Sequence, residues 1–324
     1  MMENFEAYPL RFYPILKDRI WGGTLLKDIL DKPVTSTTTG ESWEISAVEG
    51  DVSVASNGIF KDLPLTEIIR QFPEQLLGKS VYKRFGANFP LLFKFIDARE
   101  DLSIQVHPND KLAMERHGTF GKTEMWYVIN ADPGARLIIG FKEKSSQGDY
   151  LKYLEKKELP KILRSYYPKS GDAFYLETGT VHAIGAGIMV AEIQQSSDVT
   201  YRVYDWDRVD SAGKPRELHT GLALDAINYD VVNPQREYAK AKNAANPIVD
   251  SAYFTTSLIP VDGVADFDYD GESFRVLMCV DGDCEIHFDS RMERLKLGET
   301  VLIPAALQQY QLSGNASILE IRIG

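Results

Sequence analysis

Short runs rich in Val, Ile, Phe and Tyr, each cut off by Gly, Asp or Pro, recur at residues 91–96, 125–129, 135–141, 173–176 and 188–193. Runs of that length and make-up are strands, so the chain is mainly β. Three stretches read as helical instead: 65–77, 150–166 with an interruption at Pro160, and 217–227, where apolar residues fall at helical spacing. They are excursions from a β scaffold.

After Tyr229 comes Val-Val-Asn-Pro-Gln-Arg, then a polar, Ala-rich stretch over 240–246 and Pro247. This is the composition of a connection between domains. The expected division is a first domain at 1–235 and a smaller all-β domain at 236–324, with strands at 273–280, 284–289, 299–303 and 317–323. The halves echo each other weakly. Residues 171–179 and 298–304 are each a glycine turn, a five-residue strand and a second turn, and Gln309 falls where His182 does. If one motif is used twice, only the first copy keeps a metal-binding residue.

With 324 residues, 44% of them hydrophobic, the chain can bury a substantial core. Its net charge of −11 repels a polyanion, and no Lys/Arg block interleaved with aromatics offers a basic face, which argues against nucleic acid. A small phosphorylated ligand stays compatible, because a few convergent Lys and Arg side chains make one pocket positive. The first ten residues hold Glu3 and Glu6 with no signal-like apolar run, and no segment approaches the roughly 20 apolar residues of a membrane helix. The expectation is a cytoplasmic protein with no membrane contact; oligomeric state is left open.

Cys279 and Cys284 flank Asp281-Gly282, a dipeptide that favours a two-residue hairpin and would set the thiols across from each other. A reducing compartment favours two inert thiols over a disulfide, and a zinc site would need a second pair of soft ligands.

In Leu102-Ser-Ile-Gln-Val-His-Pro-Asn-Asp110, Gln105 and His107 are two apart and share one strand face. Glu124 opens a second strand after Gly121-Lys-Thr, and a tight turn over 177–182 delivers His182 to a third. One Gln, two His and one Glu suit a borderline divalent ion, zinc first, with iron, cobalt and manganese sharing the same ligand types. The alternative is that His107 and His182 are ordinary hydrogen-bonded histidines. His117, His219 and His287 lack comparable surroundings and read as structural or surface groups.

Gln105-Val-His107-Pro, Lys122-Thr-Glu124 and Gly179-Thr-Val-His182-Ala183 resemble, in order and spacing, the three metal-binding segments of the type I phosphomannose isomerases. The likeness runs from Pro14 and Trp21-Gly22-Gly23 through Gly40-Glu-Ser-Trp43-Glu44 and Pro90-Leu-Leu-Phe-Lys94 to Ser197-Asp-Val-Thr-Tyr-Arg202-Val-Tyr-Asp-Trp206. It is closest to the short bacterial branch. The resemblance implies a cupin, that is, a double-stranded β-helix or jelly roll, with helical insertions and a degenerate second cupin behind it. It implies one zinc ion held by Gln105, His107, Glu124 and His182, a catalytic arginine at Arg202, and interconversion of mannose 6-phosphate and fructose 6-phosphate through a cis-enediol. The chain departs from longer members in lacking room for a large helical insertion, and Ala183-Ile184 stands where some members have an aromatic.

Other candidates follow from position. Lys122, two residues before Glu124, is a base or an anchor, and Glu192, alternating with apolar neighbours, is a candidate general base. Ser103 and Lys94, expected on adjacent strands, are the choices for phosphate, with Asp198 as a further substrate-binding group. Arg202 has a bland alternative as a surface arginine paired with Asp198 or Asp205. The rivals are a cupin dioxygenase or sugar epimerase, and a non-catalytic sugar-phosphate-binding regulator.

Overall fold

The computed structural model describes residues 5–209 and 213–324. The first strands are β1 (Ile15–Gly23), β2 (Thr39–Ile45), β3 (Ala47–Val48), β4 (Asp51–Val52), β5 (Leu91–Ala98), β6 (Ile104–Val106) and β7 (Glu124–Ala131). Next come β8 (Leu137–Phe141), β9 (Leu163–Tyr166), β10 (Ala173–Leu176), β11 (His182–Ile184), β12 (Ile188–Gln195), β13 (Tyr201–Tyr204) and β14 (Gln235–Arg236). The last group is β15 (Asn246–Asp250), β16 (Thr255–Asp268), β17 (Arg275–Phe288), β18 (Arg291–Lys296), β19 (Thr300–Ile303) and β20 (Gln309–Arg322). The helices are short: α1 (Leu25–Asp28), α2 (Leu65–Gln71), α3 (Pro73–Leu77), α4 (Lys79–Phe85), α5 (Asp110–His117), α6 (Gln147–Glu155) and α7 (Thr220–Leu224). No helix among the described residues is long and apolar enough to cross a membrane.

Two antiparallel sheets, β1-β2-β5-β12-β7-β10-β14 and β13-β6-β11-β8-β9, make a jelly-roll barrel, and β15 to β20 make a third sheet. Strand alternation decides what enters the barrel. Leu91, Phe93 and Phe95 of β5, Met125 and Tyr127 of β7, and Met189, Ala191 and Ile193 of β12 join a core shared with α2, α3 and the third sheet. Their even-numbered neighbours Ile96, Ala98, Trp126, Val128, Ile188 and Val190 pack inside the barrel against Leu137, Ile139 and Ile184 from the second sheet. On that second sheet Ile104, Val106, Ala183, Tyr201 and Val203 face outward onto Tyr150 of α6 and Ala223 of α7.

Lys94, Glu124 and Glu192 therefore point inward from one sheet. Ser103, Gln105, His107, His182 and Arg202 do so from the other. A one-residue slip would exchange these groups for apolar side chains worth about 1.5–3 kcal/mol each on burial, which pins the register.

The third sheet is not a separate body hung on a linker. Phe89 and Phe274 lie with ring centroids 4.9 Å apart in the shared core. Leu10 and Leu302 exchange backbone hydrogen bonds of 2.8 and 2.9 Å, and Arg11 lies 3.3 Å from both Glu293 and Glu299.

Several local expectations change. The 65–77 stretch is two helices, because Pro73 lacks the N–H needed to continue α2 and instead opens α3. In the 150–166 stretch α6 ends at Glu155, a single 3-10 turn spans Leu159–Lys161 around Pro160, and the remainder is strand β9, drawn into pairing with β8. Within 217–227 only α7 is helical, and α4 and α5 lie outside the three expected stretches.

Asp281-Gly282 is not a hairpin. β17 runs straight through it, bulging against β20, with residues before the bulge paired to β19 and those after it to β18. Gly282 has φ +68°, and a Cβ there would meet the Asn315 carbonyl at 2.1 Å, so glycine serves the bulge. Cys279 and Cys284 are consequently on one strand, both buried as free thiols.

Candidate metal centre and substrate cleft

Register assembles the site. His182 pairs with Gln105, and Arg202 pairs with the same Gln105 from the other side. On the opposite sheet Glu192 lies between Lys94 and Trp126, and Gln194 pairs with Glu124. The turn before His182 is tied to the centre: Gly179, at φ +87°, donates its N–H to the His107 carbonyl at 2.9 Å. A Cβ at Gly179 would meet the Ala226 carbonyl at 2.8 Å.

His107 Nδ1 lies 2.9 Å from the Val199 carbonyl and His182 Nδ1 lies 2.8 Å from the Thr180 carbonyl. A carbonyl only accepts, so each Nδ1 carries the proton and each Nε2 presents a lone pair inward. Both rings are neutral: burial, helped at His107 by the nearby Lys122, holds its imidazolium well below the usual range. Burial pushes His182 down to about 4. Their Nε2 atoms stand 3.5 and 3.2 Å from the two Glu124 oxygens. Burial and the charge of Glu192 push Glu124 up to about 8.

His107 Nε2 and both Glu124 oxygens have no hydrogen-bond partner, although all are buried. Acceptors facing acceptors in a dry interior are costly unless a cation lies among them. The donor atoms of His107, Glu124 and His182 all fall within 4.8 Å of one another. The Gln105 amide reaches 3.3 Å from His182 Nε2, and turning its end group presents Oε1 to the same point. This donor set fits one divalent ion of the borderline kind. The reading of the two histidines as ordinary hydrogen-bonded groups does not account for those orphaned acceptors.

A cleft of about 410 Å³ opens beside these residues and is lined by Lys94, Ser103, Gln105, Lys122, Glu192, Asp198 and Arg202. Lys122 places Nζ 3.6 Å from Glu124 Oε2. Lys94 lies 3.1 Å from Glu192, and its ammonium sits 4.9 Å from the Trp43 ring centroid. Burial alone would lower Lys94, but the carboxylates of Glu192 and Glu41 outweigh it and raise it. Burial would raise Glu192, but Lys94, Lys122 and the Trp126 indole N–H at 2.8 Å hold it below the usual carboxylate range. Lys94 and Ser103 do not sit on adjacent strands as expected; Lys94 is on β5, Ser103 immediately precedes β6 of the opposing sheet, and both line the cleft.

Arg202 donates Nη1 to the Glu217 carbonyl at 2.9 Å and leaves its buried Nε unpartnered. Asp205 is bound by Arg208 and Arg216 instead, so the surface pairing of Arg202 does not form. His219 braces the Arg202 backbone from both sides, accepting its N–H at 3.1 Å and donating to its carbonyl at 2.7 Å. Asp198 is exposed at the rim.

Sequence reasoning gave no role to Lys17, Arg19, Glu41, Trp43 or Arg216, which also line the cleft. Glu41 accepts from Arg19 Nε at 2.8 Å and from the Trp43 indole at 2.6 Å. Burial would raise it, but Lys94 and Arg19 pull it down to about 2. The matching stretches around Trp21 and Trp43 were the available signal; the Trp43–Lys94 register is what aims them at the cleft.

A family model described as the catalytic domain of type I phosphomannose isomerase matches residues 10–130, and a second, the cupin domain of mannose-6-phosphate isomerase, matches 245–323. The mannose-6-phosphate isomerase ManA of Bacillus subtilis is 35% identical over 316 residues, covering 96% of this chain and 98% of that protein. The mannose-6-phosphate isomerase of Streptococcus mutans is also 35% identical, covering 97% and 98%. The crystal structure of the Bacillus subtilis mannose 6-phosphate isomerase superposes with a TM-score of 0.90 at 33% identity, over 98% of this chain and 99% of that one. Near-complete coverage at that identity extends the likeness well beyond the three metal-binding segments, and the chain belongs to the type I phosphomannose isomerase family.

Proposed function

We propose that this chain interconverts mannose 6-phosphate and fructose 6-phosphate through a cis-enediol, with one zinc ion held by Gln105, His107, Glu124 and His182. The observation that carries the reading is the trio of buried, unpartnered acceptor atoms at one end of a polar cleft. Bound there, the ion supplies Lewis-acid polarisation of the sugar oxygens.

The chain's own groups supply the rest. Glu192, kept ionised between Lys94 and Trp126, accepts the proton that moves between carbons 1 and 2. Lys122 places a cation beside the reacting oxygens, and Arg202 turns its free Nε and remaining guanidinium N–H groups to the oxyanion that develops. Ser103 and Asp198 offer hydrogen bonds to sugar hydroxyls from the same cleft wall. Lys94 already faces Glu192 and Glu41, so its part is to hold Glu192 ionised.

The test is to strip the protein with a chelator and reload it with zinc, cobalt, manganese or iron. Zinc should restore oxygen-independent interconversion of the two sugar phosphates; a fully metallated protein without turnover would sink the proposal. In the same assay Arg202→Ala should lose about a hundred- to a thousandfold in turnover while keeping its metal. Loss of the ion instead would mean that Arg202 supports the centre rather than the reaction.

A further inference from the structure

The cations of the cleft are not equally committed. Along the wall built by β1, β2 and β5, Lys17 pairs with Asp51, Arg19 with Glu41, and Lys94 with Glu192, so every positive charge meets a carboxylate. Lys122 is taken up by Glu124 on the floor.

The opposite wall differs. Asp205 is shared by two guanidinium groups, Arg208 at 2.6 Å and Arg216 at 2.8 Å through its Nε. Arg202 has no carboxylate within ion-pair distance among the described residues. That wall carries surplus positive charge, and the exposed Asp198 at the rim tempers it without forming an ion pair. The surplus is felt inside the protein: burial and the charge of Arg216 together lower Arg202 from its usual value.

Depth separates these groups too. The side chains of Lys94 and Lys122 are 6% exposed, whereas Arg216 is 26% exposed. On the sugar-phosphate reading given above, on which this inference rests, carbons 1 and 2 lie at the metal centre. The ester on carbon 6 must then reach away from that floor toward the rim. A phosphate monoester carries close to two negative charges and takes planar, paired donors from arginine.

We propose that Arg216 is the phosphate anchor and sets the preference for phosphorylated over free sugar, while the neighbouring Arg202 stays with the developing oxyanion. Asp205 grips Arg216 through Nε and one Nη, which fixes the guanidinium plane and leaves its other Nη for the ester oxygens. The segment carrying Arg216 is held to β13 by the Glu217 and His219 contacts with Arg202, so the two guanidinium groups keep their spacing.

The experiment compares zinc-loaded wild type with Arg216→Gln and Arg216→Lys, using mannose 6-phosphate, free mannose and inorganic phosphate. Arg216→Gln should raise KM for mannose 6-phosphate roughly ten- to a hundredfold with kcat within about twofold, and leave the rate measured with free mannose equal to that of wild type. It should weaken inorganic phosphate, read by calorimetry on the holoprotein, by a similar factor, with Arg216→Lys in between. A variant that loses both sugars equally, or neither, overturns the assignment. Should wild type fail to isomerise mannose 6-phosphate, the functional reading falls, while phosphate binding still decides Arg216: weakening in the Gln variant upholds the anchor, and no change refutes it.

Discussion

Glu124→Gln should leave the protein without metal and without isomerase activity. The amide keeps the volume of the carboxylate but removes the one anionic ligand among His107, Glu124 and His182. Losing a group that merely orients a ligand costs about ten- to a hundredfold in metal affinity, and losing a charged ligand costs more. Removing that charge should also make the metal-free variant more stable than metal-free wild type at pH 8, because it deletes a buried carboxylate whose oxygens have no hydrogen-bond partner. Metal analysis and thermal unfolding at pH 8 read the two effects. Wild-type metal occupancy in the variant would show that the ion is bound elsewhere.

Metal removal should also reshape the dependence of stability on pH. Unfolded histidine titrates near 6.5, whereas folded His182 is held down to about 4 and His107 well below its usual value. Up to 6.5, then, the unfolded chain holds protons that the folded one does not, and stability rises with pH. Glu124 acts oppositely: from 4.5 to about 8 the folded carboxyl keeps a proton that the unfolded chain has released, so stability falls with pH. Two rising contributions outweigh one falling until the histidines are spent, after which only the fall remains. Stripped protein should thus be most stable near pH 6.5 and lose on the order of 2 kcal/mol by pH 8. With metal bound, Glu124 stays ionised and that decline disappears. Urea unfolding of stripped and reloaded protein at pH 5.5, 6.5 and 8 cancels the contribution of distant groups, and parallel curves would refute the assignment.

The part of this site that could be read in the sequence is the part that strand alternation writes locally. Gln105 and His107 share a face because they are two apart, and Glu192 is flanked by apolar residues that pack on the other side of β12. The opposite wall was hidden because its partners are distant: Glu41 and Trp43 meet Lys94 only through the β2–β5 register. Local signals also misled where tertiary pairing overrode them. Asp281-Gly282 has the chemistry of a tight turn, yet both flanks of β17 find partners in β20, so the same glycine makes a bulge. Residues 163–166 follow a helix but are recruited by β8. Lys94 and Ser103 are close along the chain, and the crossing between sheets separated them, one on β5 and the other just before β6.

The backbone exchange between Leu10 and Leu302 carries a consequence for biosynthesis. Residue 10 leaves the ribosome long before its partner is translated, so the edge it will occupy waits through nearly the whole of elongation. A nascent chain can collapse around its barrel and pin residues 11–13 to residues 54–57, but it cannot close the contact with the third sheet. A message cut short before residue 302 would yield a protein whose metal ligands are all encoded but whose leading segment lacks its seal against the third sheet.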